Sequence, residues 1–159
     1  MPAAASSQGW FKHSPAGKRL VEANTYLTRG LPEKLPSYLL NSLVVADAEA
    51  EYLRGANDLA VFAAFRRLEI LVYEKIGAPQ SKRGPDLMRM AFDMKQGPLR
   101  NPALPDAERE NEAHLFAGAM GCYRNATGHR DVDLGSTEAA QLLVLASMLI
   151  SIVESRTLI

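Results

Sequence analysis

Between Cys122 and Asp131 the chain reads Cys-Tyr-Arg-Asn-Ala-Thr-Gly-His-Arg-Asp, which gathers Arg124, Arg130, the amide of Asn125 and one of the three histidines, His129. Arginine presents a planar fork to phosphate oxygens. Histidine is the side chain suited to moving a proton near neutral pH. An asparagine amide can donate to and accept from the same group. On an ideal helix Asn125 and His129 share a face, whereas Arg124 and His129 stand roughly 140° apart. A helix that ends near Ala126 lets all three converge, and Gly128 supplies the backbone freedom for that. No serine or cysteine stands beside a base as a nucleophile, and there is no glycine loop of the GxxxxGK type. No carboxylate and histidine cluster has metal spacing, so neither a metal nor a cofactor is expected. An arginine and histidine pair without a metal suits attack by the 2′-hydroxyl of RNA on its own phosphate. There the RNA brings the nucleophile, and the protein moves a proton and stabilises charge on the phosphorane. A bare Arg-x-x-x-x-His is weak by itself, since chance gives about 0.2 matches in a chain of this composition. The competing account is a helix C-terminus with cations beside its carbonyls.

A second ionisable residue stands out upstream. Glu69 has Phe65 and Tyr73 one turn away on either side, and Phe62 and Ile76 two turns away. A carboxylate on so apolar a flank needs a cation or several donors. Arg124 would serve as a buried partner. Arg66, three residues earlier, would serve in an exposed pair, and the spacing leaves both open.

The elements that must position these groups are helical. The chain has 159 residues, enough for one domain with a real core. Acidic and basic residues balance at 18 each. That excludes a globally basic nucleic-acid binder and leaves room for a locally basic groove. The single cysteine, Cys122, rules out an intrachain disulfide framework and fits a reducing cytoplasm. Residues 1–8 are small and polar, unlike a signal peptide. The most apolar run, Ala139 to Val153, would span only about 22 Å as a helix, short of the ~30 Å hydrocarbon core. A soluble protein without a membrane span is expected.

Residues 1–35 read as an N-terminal arm with a short helix from Ser14-Pro15 to Tyr26, in which Trp10 and Phe11 dock or meet a partner. Residues 36–159 read as one helical domain. Helices are expected over Ser37–Leu53 and Asn57–Ile76, the latter with Phe62, Phe65, Leu68, Val72 and Ile76 three and four apart. Lys82-Arg83-Gly84 is a basic loop. A short helix follows over Asp86–Met94, turning Leu87, Met88, Ala91 and Phe92 inward. Gln96 to Pro105 holds three prolines and reads as a rigid loop, on which Arg100 is solvated or touches a ligand. Asp106 is placed as the N-cap of a helix reaching Asn125, whose small residues Ala117 to Gly121 let a neighbour approach. Ser136 or Thr137 caps the last helix, which runs to Glu154 and is apolar nearly all round. A helix without a polar face is buried on two sides, and the second side is expected to meet another subunit.

The motif Arg124-Asn125-x-x-x-His129 resembles the signature of the HEPN superfamily, small all-α domains with Arg, a polar residue, and His after four to six intervening positions. Asp86-Leu87-Met88-Arg89-x-Ala91-Phe92, Gly97-Pro98-Leu99, Glu108-Arg109-Glu110, Leu115 to Asn125 and His129-Arg130-Asp131 together resemble the Ymh-type family of bacterial and phage-associated proteins. The resemblance covers roughly Glu51 to Glu154, and the order of its blocks is more specific than the motif. The first 50 residues match less clearly and read as the remnant of a longer N-terminal module. The resemblance implies an all-α, HEPN-like bundle of about five main helices that forms a homodimer with two motifs in one cleft. It implies a metal-independent endoribonuclease of bacterial defence or toxin type acting on RNA, with Arg124, Asn125 and His129 catalytic. Glu69, Tyr123 and Arg130 would support them or bind substrate. An antitoxin or another defence-system protein is the implied partner. The alternative is a non-catalytic HEPN module that binds a nucleotide, RNA or a partner protein. Two positions depart from the pattern. Ala126 stands where Ymh-type proteins usually have proline, which loosens the turn without removing a catalytic group. Asp131 stands where one toxin subgroup has a tyrosine modified by its antitoxin, so that form of control is not implied.

Overall fold

The computed structural model describes residue 35, residues 37–124 and residues 133–159. The N-terminal arm, apart from Leu35, lies outside the described residues, as do Asn125, His129 and Arg130. A 3-10 turn over Ser37–Leu39 leads into five helices: α1 (Ser42–Leu53), α2 (Asn57–Ile76), α3 (Gly84–Ala91), α4 (Asp106–Ala119) and α5 (Ser136–Ser155). Between α4 and the undescribed segment, Met120–Arg124 forms a π-helical turn. Among the described residues there is no strand, so the domain is an all-α bundle.

Side-chain hydrogen bonds fix how the long helices run. Asn41, just before α1, donates to Ser151 and Glu154 at the end of α5, and Tyr52 at the end of α1 donates to the Ser136 carbonyl. The two helices are therefore antiparallel. Asn57 at the start of α2 donates to the Leu134 carbonyl, and the Lys75 ammonium near its end donates to the Val153 carbonyl at 2.7 Å. So α2 runs parallel to α5, and Lys75 satisfies carbonyls at the end of α5 where a cation also meets the helix dipole favourably. Arg67 on α2 makes two hydrogen bonds to Asp47 on α1, which holds its guanidinium pKa above the ordinary value. The core lies between these helices: Val44, Ala48 and Tyr52 from α1, Val61, Phe65, Leu68 and Val72 from α2, Leu143, Leu149 and Ile150 from α5, all buried. On the other flank of α2, α3 and α4 pack through Phe92 and Phe116, whose rings stack with centroids 3.9 Å apart.

Several element boundaries differ from those expected. The helix expected to start at Ser37 starts at Ser42, because Asn41 caps it by accepting from the Leu43 N–H at 2.9 Å. The helix expected over Asp86–Met94 begins at Gly84 and ends at Ala91. Asp93 closes it with its carboxylate, accepting from the Gln96 and Lys95 N–H groups, which lower its pKa. Asp106 is the first helical residue rather than the cap; Pro105 holds the cap position, and Asp106 pairs instead with Arg109. Neither Ser136 nor Thr137 is the N-cap of α5. Gly135 is, in an extended conformation without a side-chain cap bond.

Within one chain, the two glycines near the end of α4 are not what permits the packing expected there. A Cβ at Gly118 would meet nothing within 4 Å, and one at Gly121 would make ordinary contact with Pro85 at 3.6 Å. The neighbour there is α3, reached through Phe116 and the half-buried Gly121.

Helix α5 is longer than its apolar run, at 20 residues, and is the one helix among the described residues long and apolar enough to cross a membrane. Ala139, Leu142, Leu143, Ala146, Leu149, Ile150 and Val153 all pack into the bundle, which accounts for its apolar character. Its Ser147 is buried too, donating to the Leu143 carbonyl at 2.8 Å. Val144, Leu145 and Ile152 are half-buried and Met148 is 47% exposed, so within one chain the helix keeps an apolar stripe toward solvent.

Candidate active site

Glu69 sits in the middle of α2, where the apolar periodicity is strongest, and its residue exposure is 5%. Removing a carboxylate from water costs several kcal/mol unless good partners replace the solvent. Two do. One oxygen accepts the Gly84 N–H at 2.6 Å, and the other meets a terminal nitrogen of Arg124 at 3.0 Å. Charge-assisted bonds of this kind are the strong ones. Gly84 opens α3 with φ 53°, a left-handed conformation that glycine adopts without the Cβ penalty. That conformation lets a buried backbone donor face the carboxylate across from α2.

The π turn brings Arg124 to the same point. Bonding of the i→i+5 type widens the last turn before the motif, and such turns recur at functional sites. Tyr123 lies with its ring 5.5 Å from that of Phe65, and the Arg124 guanidinium carbon is 5.9 Å from the Phe62 ring centroid. The Arg124 side chain keeps 25% of its exposure, against 6% for Glu69. One partner is thus locked in the wall and the other reaches solvent. Farther along α2 the Arg83 guanidinium carbon sits 4.1 Å from the Tyr73 ring centroid.

Of the residues singled out in the sequence, Glu69, Tyr123 and Arg124 are brought together. Asn125, His129 and Arg130 fall outside the described residues. The choice left open for Glu69 is resolved in favour of Arg124; Arg66 is exposed and unpaired with it. Arg100 donates to the Gly97 carbonyl and helps close its own loop. Gly84 was not legible as a contributor, because its role is a backbone N–H supplied across a turn. Phe62 was legible only as a core residue, and its ring instead carries the guanidinium. Among the described residues no three His, Cys, Asp or Glu side chains gather as a metal site.

The family described as "Protein of unknown function (Hypoth_ymh)" matches residues 39–153. That span takes in α1 to α4, all but the last two residues of α5, the Glu69–Arg124 pair and the segment that follows it. The chain belongs to the Hypoth_ymh family. No curated protein and no solved structure matches it. In the Hypoth_ymh domain of this chain a buried carboxylate on one helix fixes the arginine that begins the sequence Arg-Asn-x-x-x-His.

Proposed function

We propose that the chain is a metal-independent endoribonuclease of the HEPN type, acting as a cytoplasmic homodimer in bacterial defence or as a toxin. The observation that carries this reading is the anchoring of Arg124. Glu69, itself held by the Gly84 N–H, anchors it at the end of the π turn, immediately before Asn125 in the motif that ends at His129, and its side chain keeps 25% of its exposure. Preorganised donors of this sort stabilise charge that develops in a transition state, because they need not reorganise as it forms.

In the proposed reaction His129 takes the proton from the ribose 2′-hydroxyl as that oxygen attacks the adjacent phosphorus. Arg124 bonds the phosphorane oxygens, and Asn125 orients the scissile phosphate. The bond from phosphorus to the 5′-oxygen breaks, and that oxygen leaves with a proton from the second motif of the shared cleft. The products are a 2′,3′-cyclic phosphate and a 5′-hydroxyl. Purified protein incubated with mixed RNA in EDTA should yield fragments with those ends. The rate should depend on a group titrating at about 6 to 7, in the ordinary histidine range. Fragments that form only when a divalent metal is added would contradict the scheme.

One observation favours a second reading. Arg124 already faces a carboxylate, and the chain as a whole has no excess of positive charge. A non-catalytic HEPN module that binds a nucleotide, RNA, an antitoxin or another defence-system partner would have the same features. It predicts intact RNA in that assay and weaker ligand binding once Arg124 is removed.

A further inference from the structure

The side of α2 that carries the ion pair also carries positive charge that Glu69 does not balance. Phe62, Arg66, Glu69 and Tyr73 recur four, three and four residues apart. That spacing holds them within about 60° of arc on one side of the helix. Arg124 pairs with Glu69 and lies 5.9 Å from the Phe62 ring, Arg83 lies over the Tyr73 ring, and Arg66 on the same side is exposed. Elsewhere among the described residues Arg100 donates to the Gly97 carbonyl in its own loop, whereas Arg54, Arg67, Arg89, Arg109 and Arg156 each pair with a carboxylate. Arg66 and Arg83 do not. Arg66 makes no hydrogen bond or ion pair among the described residues, and Arg83 donates only to the Lys82 carbonyl, at 2.8 Å. Both Glu69 oxygens are engaged by Gly84 and Arg124. Glu74, next to Tyr73, acts on Arg67. Asp58 is the remaining acid along this side, one turn before Phe62.

Phe62 and Tyr73, whose rings lie beside Arg124 and Arg83, are separated by about 16 Å of helical rise. Unmatched like charges on one face cost stability and give the fold nothing in return. A guanidinium lying over an aromatic ring keeps its edge donors available to an anion. From this placement we infer that Arg66 and Arg83 continue the Arg124 site as a track for the phosphates of single-stranded RNA, read without regard to base sequence. The inference rests on the endoribonuclease reading of the same site and names the strand form of its substrate. A short basic track interleaved with rings is how single strands are held. The double-stranded RNA-binding domain, which reads duplex RNA by its shape, spans about 16 base pairs, far longer than this stripe.

The test is binding of the full chain to a short labelled oligonucleotide with 2′-O-methyl riboses, which supplies no nucleophile. Anisotropy would be measured over a range of salt concentrations. Removing one cation that neutralises a phosphate of a single strand should lower the slope of log K against log salt by about 0.7. The double variant Arg66→Ala/Arg83→Ala should therefore fall by about 1.4 in slope, and roughly 20-fold in affinity at about 0.1 M salt. The charge-matched control Arg54→Ala/Lys95→Ala should keep the wild-type slope. Both variants alter exposed side chains, and equal thermal midpoints would confirm that each is folded. A wild-type slope in the Arg66→Ala/Arg83→Ala variant, or no binding by the wild type, would overturn the track. Equal affinity for a duplex of the same sequence would overturn its single-strand character. The probe cannot be cleaved, so a track that binds as expected in a protein that leaves unmodified RNA intact would sink the nuclease reading alone.

Discussion

At the scale of single residues, the account turns on how one carboxylate is satisfied. Glu69 has exchanged water for one backbone N–H and one guanidinium, and both lie in other parts of the chain. Glu69→Ala would leave the Gly84 N–H and the inner edge of Arg124 facing apolar neighbours. Breaking a buried pair from one side costs about 3 kcal/mol or more, and chemical denaturation should show a loss of that size. A loss below ~1 kcal/mol is what an exposed pair would give, and it would contradict the burial described here. Glu69→Gln should lose less, since its amide oxygen can still accept from Gly84. The need for a partner was legible in the sequence, because Phe65 and Tyr73 flank Glu69 at helical spacing. Which arginine answered it was not. Arg66 and Arg124 satisfy the same local rule, and only the packing of the π turn against α2 separates them.

At the scale of elements, the helices with strong apolar periodicity were the legible ones. Residues Asn57–Ile76 form one helix as the spacing of Phe65, Leu68 and Val72 requires. Boundaries set by capping were less legible, because Asn41, Asp93 and Gly135 act through one or two hydrogen bonds or a backbone angle that compete with continued helix. The π turn at Met120–Arg124 had no signal at all in residue spacing, yet it aims the first residue of the motif. The loop after α3 is held equally tightly. Its Leu99 N–H donates to the Ala91 carbonyl at 2.9 Å, and the Leu99 side chain is fully buried. A Cβ added at Gly97 would sit 2.7 Å from the carbonyl oxygens of Ala91 and Asp93, with the Asp93 nitrogen closer still. Those are backbone atoms that cannot rotate aside. Gly97→Ala should therefore destabilise the domain by about 1–3 kcal/mol, the usual cost of overpacking, read as a lower thermal midpoint. An unchanged midpoint would mean that the loop is more yielding than its hydrogen bonds imply.

At the scale of the whole molecule, the apolar stripe left on α5 is where a second copy is proposed to bind. Met148 lies on that stripe and is 47% exposed, whereas Leu149 beside it is fully buried in the bundle. Met148→Glu should convert a dimer at micromolar concentration into a monomer with unchanged helix content. A charge at Leu149 should instead unfold the chain. Sedimentation showing a wild-type monomer at that concentration would remove the composite cleft. The central claim, that the Arg124 to His129 segment cleaves RNA, is tested most directly by comparing three proteins on one unmodified RNA in EDTA, scoring cleavage and binding together. The wild type should cleave. His129→Ala should bind nearly as well and leave the RNA intact, because Arg124 carries the phosphate contact and His129 the proton transfer. Arg124→Ala should lose both, since its fork contacts the phosphate in ground and transition states alike. Wild-type and His129→Ala proteins that leave the RNA equally intact would contradict the account.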